Sequence, residues 1–400
     1  MSDEAQASTV QTASQHTAPP GSTAFRGASR AEGYVEGHGR EDEVAEAVIS
    51  DVPMSAEAVK PPPNGATPAA RLMPADRDSD LFDVFDVFDP DQDLGLLATA
   101  PAERPARRGL RGLLSRMGFT MTPGKAEQGE RDLVETIRRD EETIRQATWT
   151  RAVSVLVANP KGGVGKTPTA IIAGGVLAAS RGGSVCIMEV SDDPGALAFR
   201  AEGHPPRGLG DLVRDVDTIT NAGQLAGYTA PQTSFASVIG TVGRRPRLTG
   251  ADVIAVADVV DKYFGIRVMD SGNQPSSSAF QAAVDAADAL VIPVFNAGDA
   301  VLEAAALLGA LRSAGGRTAD LADSAIILRL TDGRPENSRV VERVDHIIAN
   351  TGVQSIFTIP YDPHIAERGQ ITLAHLEPAT RRAFTAAAAS VVRTLQENVR

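Results

Sequence analysis

The chain predicts an α/β fold: an open, mostly parallel sheet with helices on both faces, preceded by a long disordered N-terminal region. Three observations carry this reading. Val153 to Val157 is a five-residue apolar-rich run, followed by a glycine-rich turn and a helical run over Pro168 to Ala179, the order of a buried parallel strand feeding a helix. Short apolar runs then alternate with segments of helical spacing almost to the C-terminus. Acidic residues stand where two of those runs end, at Glu189 and Asp270, and the C-terminal ends of parallel strands are where ligand crevices form.

The N-terminal hundred residues belong to another class. The formal net charge of the 400-residue chain is −12. Residues 1–100 hold 18 acidic and 6 basic side chains, and the rest hold 33 of each. The imbalance therefore belongs to the tail, and a nucleic-acid surface on the remainder stays open. Rich in Ala, Pro, Gly, Ser and acids, with no long periodic apolar run before Leu81, residues 1–100 read as a disordered acidic tail. Within it, Phe82, Phe85 and Phe88 alternate with Asp83, Asp86 and Asp89. This Phe-Asp repeat reads as a docking motif for a protein partner, or as a low-complexity accident.

Residues 101–149 read as a basic amphipathic arm and a lead-in helix. Arg104, Arg107, Arg108, Arg111 and Arg116 surround Leu110, Leu113, Leu114, Met117 and Phe119. Such a segment could touch an anionic membrane, DNA or the acidic tail, or lie solvated on the domain. Glu130 to Trp149 predicts a helix with Leu133, Ile137 and Ile144 on one side, and Trp149 packing beside the sheet.

Residues 150–400 read as the ligand-binding domain. Gly162, Gly163 and Gly165 allow a tight turn that brings backbone N–H groups to phosphate oxygens. The helix that follows adds its positive end. Lys166 would reach β- and γ-phosphates, and the Thr167 hydroxyl would sit on Mg²⁺. A strict G-x-x-x-x-G-K-[ST] pattern fails at its first glycine, where Asn159 or Pro160 stands. What replaces it is Lys161-Gly-Gly-Val-Gly-Lys-Thr167, with a second lysine ahead of the glycines. Pro168 is tolerated in a first helical turn, at the loss of one N–H donor.

That two-lysine loop resembles the deviant phosphate loop of the ParA/MinD family of P-loop ATPases. The resemblance covers about residues 150–399 and implies ATP and Mg²⁺ as ligands. It places Gly162, Gly163, Val164, Gly165, Lys166, Thr167 and Pro168 around the phosphates, with Thr167 and Asp270 holding the metal. It also implies a homodimer closed by ATP, in which Lys161 crosses to the partner's phosphates.

The remaining elements follow in order. Ser184 to Val190 predicts a second strand, with Cys186, the only cysteine, as a small core residue. A single cysteine allows neither an intrachain disulfide nor a cysteine pair for an iron–sulfur cluster. Where the family carries two acids that position the attacking water, this chain has Glu189 and Ser191. Asp193 is therefore read as the catalytic switch residue, the alternative being that Asp192 or Asp193 caps the next helix. His204 to Ile219 reads as a loop and short helix, and Asn221 to Thr249 as irregular. Arg244, Arg245, Arg247 and Lys262 add positive charge there, too little to specify a nucleic-acid site.

Asp252 to Tyr263 has helical spacing, and Phe264 to Met269 predicts a third strand closed by Asp270-Ser-Gly272. Asp270 is placed to hold Mg²⁺, and Asn273 to Ser278 fits a mobile switch loop, a helix cap, or both. Strands over Ala289–Val294 and Ala325–Leu330 enclose a helix at Ala300–Ala314. Arg329 stands where the family places an asparagine near the adenine, so it would stack on the base or mark an altered pocket. After the last strand, Pro360, Tyr361 and Asp362 resemble the loop that covers the base. A helix over Pro378–Glu397 closes the chain.

The acidic tail and the Ile-Pro-Tyr-Asp-Pro run look like ParA/MinD-like proteins encoded beside actinobacterial type VII secretion systems. The expectation is an ATP-hydrolysing switch that regulates secretion or the positioning of a partner complex. One alternative is a DNA-segregation ATPase that binds DNA non-specifically, and another is a nucleotide-binding scaffold with little turnover. With no signal peptide and no apolar stretch long enough to span a bilayer, a cytoplasmic protein is expected, peripheral to membrane or nucleoid through partners.

Overall fold

The computed structural model describes residues 125–399, all within one compact unit. The acidic tail, its Phe-Asp repeat and the basic stretch through Phe119 lie outside the described residues. The expected strands become β1 (Val153–Val157), β2 (Val185–Glu189), β5 (Ile266–Asp270), β6 (Ala289–Phe295), β7 (Ile326–Leu330) and β8 (Ser355–Ile359). Two short strands join them, β3 (Ala230–Pro231) and β4 (Ser237–Ile239). The eight strands run in the order β3-β4-β2-β5-β1-β6-β7-β8. Every neighbouring pair is parallel except β3 with β4. The sheet is thus open and mostly parallel, as expected.

β1 lies inside the sheet, between β5 and β6. Register aligns Val157 with Asp270, and Asp270 with Glu189. The C-terminal ends of β1, β5 and β2 therefore come out level, and the loops after them share one crevice.

Helices cover both faces because each strand alternates its side chains between two cores. On one face Val153, Val155, Val157, Ile187 and Val268 pack with α1 (Lys125–Gln146), α2 (Lys166–Arg181) and α12 (Pro378–Asn398). On the other, Leu156, Cys186, Met188, Met269 and Ile327 pack with α4 (Leu209–Asp215), α6 (Gly250–Val260), α7 (Ser278–Asp285), α8 (Gly298–Ala314), α9 (Gly316–Asp323) and α10 (Ser338–Asn350). Burying roughly 100–150 Å² of apolar surface per large side chain contributes about 2–3 kcal/mol each before entropy is charged. Cys186 is fully buried, and burial pushes its thiol up, as a core residue requires.

α2 packs closely through two glycines, Gly174 on the sheet and Gly175 on the turn at Leu373. A Cβ built on Gly174 would stand 2.6 Å from Ile187 Cγ1, and one on Gly175 2.8 Å from Leu373 Cδ1. Glycine costs a helix interior about 1 kcal/mol relative to alanine, and here the close approach requires it. Gly182, at φ 78°, ends the helix in the left-handed conformation, its N–H bonded to the Ala178 carbonyl.

α1 begins five residues earlier than expected and is buried only at Ile144. Leu133, expected on the packed side, is 46% exposed. Arg181 clamps the helix end: its guanidinium donates to the carbonyls of Ile144 and Ala147 and lies 4.8 Å from the Trp149 ring. Ser277 caps α7 by accepting from the Phe280 amide, the capping role open for residues 276–278. Two short helices, α3 (Leu197–Arg200) and α11 (Pro363–Ala366), flank the crevice, and α5 (Ala222–Ala226) lies before β3. No helix among the described residues is long and apolar enough to cross a membrane.

Candidate functional site

A cavity of about 860 Å³ opens over the C-terminal ends of β1, β2, β5, β7 and β8. Its floor is the loop from Gly163 to Pro168 and its walls are the loops that follow those other strands. The loop owes its shape to local chemistry. Gly163 and Gly165 adopt φ 78° and 92°, left-handed values that glycine takes without penalty. Asn159, fully buried, donates to the carbonyls of Pro293 and Ala300 and accepts the Lys161 amide. This side chain fastens the start of the loop to β6 and α8. Sequence reading registered Asn159 only as a departure from the glycine pattern; the turn-forming chemistry of asparagine was the available signal.

Lys166 is 7% exposed, and its ammonium donates to the carbonyls of Asn159 (2.8 Å) and Lys161 (3.0 Å) and to Asn273 Oδ1. Burial lowers its pKa to about 8, opposed by the charge of Asp270. Thr167 donates its hydroxyl to Asp270 Oδ2 at 2.7 Å, while Asp270 Oδ1 is buried without a partner. Burial raises the Asp270 carboxyl to about 7, countered by the Thr167 hydrogen bond. A divalent cation is the natural partner for such an oxygen. The hydroxyl and carboxylate, hard oxygen donors set side by side below the loop, suit Mg²⁺. The chain's own residues therefore fit the expected metal and phosphates.

Among the other expected residues, Pro168, Pro360, Tyr361 and Asp362 all line the cavity. Tyr361 is 44% exposed, its ring against Gly333. Asp362 is buried and its oxygens accept the amides of His364 and Glu377, so it holds the loop in shape. Lys161 and Val164 line an adjoining 480 Å³ cavity outside the loop. There Lys161 Nζ pairs with Asp299 at 2.8 Å, both largely exposed.

The capping alternative for the β2 loop and the placement of Arg329 on β7 are corrected. Neither Asp192 nor Asp193 caps α3, whose N-cap is Ala196. Asp193 borders the cavity, but its carboxylate is half exposed and paired with Arg247 at 2.9 Å. Asp192 is 8% exposed and faces the cavity beside Gly272, whose added Cβ would lie 3.2 Å from Asp192 Oδ1. Arg329 is not brought to the cavity: it bonds Asn296 and Asp345. Strand alternation explains this, since Arg329 shares the face of Ile327 while Leu330 turns to the cavity.

Arg245, read from the sequence as surface charge, is the largest surprise. Its side chain is 1% exposed and pairs with the equally buried Glu189 at 2.8 Å. The same guanidinium donates to the carbonyls of Ser191, Asp192 and Asp193. Glu189 also accepts from the Thr241 hydroxyl and the Gly195 amide. The acid at the end of β2 is thus engaged in holding its own loop.

No family model matches the chain. It is 25% identical over 290 residues to the ESX-1 secretion-associated protein EspI of Mycobacterium tuberculosis, in two strains, over 70% of this chain and 40% of EspI. The chain thus spans about two fifths of the length of the curated relatives it matches. Among solved structures it is similar to a ParA family ATPase from Chlorobium tepidum TLS, at 15% identity and TM-score 0.46, over 62% of this chain and 97% of that one. It is also similar to the cell division ATPase MinD of Pyrococcus furiosus, at 16% identity and TM-score 0.44, over 62% of this chain and 99% of that one.

Proposed function

We propose that this chain is an ATP-binding and ATP-hydrolysing switch of the ParA/MinD type, which dimerises with ATP and regulates secretion or the positioning of a partner complex. The observation that carries it is the Thr167 hydroxyl set 2.7 Å from Asp270 below a loop with two left-handed glycines, with one Asp270 oxygen unpartnered. In this reading the amides of residues 162–167 bind the phosphate oxygens, and Lys166 exchanges its present acceptors for them. Thr167 and Asp270 hold Mg²⁺, which supplies charge neutralisation during phosphoryl transfer. Tyr361 and Pro360 cover the base. Lys161 leaves Asp299 and crosses to the partner's phosphates, making association depend on the γ-phosphate. The secretion role draws on the likeness to EspI, and a partner would dock on the Phe-Asp repeat.

A scaffold with little turnover is the second reading. The commitment of the buried Glu189 to Arg245 favours it.

The test is the solution mass of the full chain with ADP, and with a non-hydrolysable ATP analogue plus Mg²⁺, beside Lys161→Ala. A doubling of mass with the analogue alone, lost in the variant, is expected. Tight binding of the analogue with no change in mass would sink the dimer switch. Tight ATP binding without turnover would select the scaffold.

A further inference from the structure

Two arginines outside the phosphate loop also line the cavity. Arg200, the last residue of α3, is 8% exposed and lines the cavity. Its guanidinium donates to the Ile365 carbonyl at 3.3 Å, while its Nε is buried without any partner. Among the described residues no carboxylate lies within ion-pairing distance of it. Arg368 lines the same wall, from a residue at φ 57°, and its side chain has no ion pair among the described residues. Arg200 meets the chain at Ile365, three residues before Arg368, and burial, then the charge of Arg368, lower its pKa. Nearby acids are engaged elsewhere: both oxygens of Asp362 accept amides, Glu202 takes the Thr233 and Thr372 hydroxyls, and Glu367 faces His364.

A buried guanidinium with an unmet donor and a like charge beside it is costly unless an anion joins it. Arginine's planar fork suits phosphate oxygens in particular.

We propose that Arg200 and Arg368 form an anion seat for a phosphate group, distinct from the phosphate loop and within the same cavity. Two sources share this chemistry: a free phosphate ion, or a phosphate on the ribose of a bound nucleotide. Only the second source rests on the nucleotide reading of the cavity.

Calorimetry on the full chain separates them. In one arm, inorganic phosphate is titrated into protein saturated with ADP and Mg²⁺. In the other, ADP is compared with its 2′- and 3′-phosphorylated forms. One arm is expected to show binding, or an affinity gain, that falls about tenfold or more in Arg200→Gln and in Arg368→Gln, as loss of a charge-assisted contact predicts. Saturable phosphate binding identifies the ion, and an affinity gain for a ribose phosphate identifies the nucleotide.

If Arg200→Gln fails to melt cooperatively, the exposed Arg368→Gln decides alone. If ADP does not bind, the nucleotide reading fails, and inorganic phosphate titrated into Lys166→Ala protein tests the seat by itself. Absence of binding in every arm, or binding unchanged by the substitutions, overturns the proposal.

Discussion

Arg245→Ala should be among the most damaging single substitutions in the described domain. The side chain is 1% exposed, its carboxylate partner Glu189 is equally buried at 2.8 Å, and it reaches three successive carbonyls at 2.7 Å, 2.8 Å and 3.0 Å. Truncation leaves the Glu189 charge without its counter-ion, which costs about 3–5 kcal/mol in a buried pair. The freed carbonyls push toward the upper end of that range. For a domain of this size each kcal/mol moves Tm by about 2–4 °C, so a fall of about 6–20 °C is expected. Urea unfolding and thermal melts of nucleotide-free full chain measure it. A companion double variant, Arg245→Met with Glu189→Leu, removes the unpaired buried charge and should recover part of the loss, the carbonyls and the Gly195 amide staying unpaired. A single-variant cost below about 1 kcal/mol would refute the reasoning, as would a double variant no more stable than the single.

Other consequences are as direct. Asp288, with its side chain 2% exposed, accepts Arg151 at 2.8 Å, Arg317 at 2.6 Å and the Ser154 amide at 2.9 Å. Burial pushes this carboxyl up, but the Arg151 and Ser154 hydrogen bonds and the two arginine charges outweigh it and hold it below the usual carboxylate range. A depressed folded-state pKa contributes stability above the unfolded value, lost as pH falls through the folded one. The acid limb of the stability profile below about pH 4 should therefore flatten in Asp288→Asn, with lower stability at neutral pH; an unchanged acid limb would show that Asp288 does not set it. Gly333→Ala would place a methyl 2.7 Å from the Tyr361 ring, at a residue with φ 77°. Fluorescent ATP-analogue titration should show weaker binding with global stability lowered by only about 1 kcal/mol; unaltered affinity would remove Tyr361 from the base site.

What the sequence disclosed depended on how local each signal was. β1, β2, β5, β6 and β7 are apolar-rich runs because helices cover both their faces, a pattern readable without a partner, whereas the edge strand β8 leaves Ile356 and Thr358 exposed. β3 and β4, two and three residues long, are too short to display any period. The phosphate loop was legible because its glycines, lysines and threonine are consecutive. Arg245 was not: it lies in Gly-Arg-Arg-Pro-Arg, which reads as solvated charge, and only the pairing of β2 with β4 brings Thr241 and Arg245 to Glu189. Arg200 and Arg368 are far apart in the chain, and their unpaired state appears only when every neighbouring acid has been assigned. Arg329 is separated from Leu330 by alternation along Ile326–Leu330, a local signal present in the sequence.

The glycine pair in α2 bears on how a signal could leave this domain. With Ile187 and Leu373 packed against Gly174 and Gly175, there is no room for a larger side chain between the helix and its neighbours. The phosphate loop at its head is thus carried by a helix seated directly on the sheet. Two segments touch the loop's contents without belonging to that layer: the stretch after β5, through Asn273 on Lys166, and the Lys161 side chain on Asp299. One points into the cavity and the other onto the outer surface. Lys166 donates to both Asn273 and the Lys161 carbonyl, so a single ammonium is the mechanical joint between inside and outside.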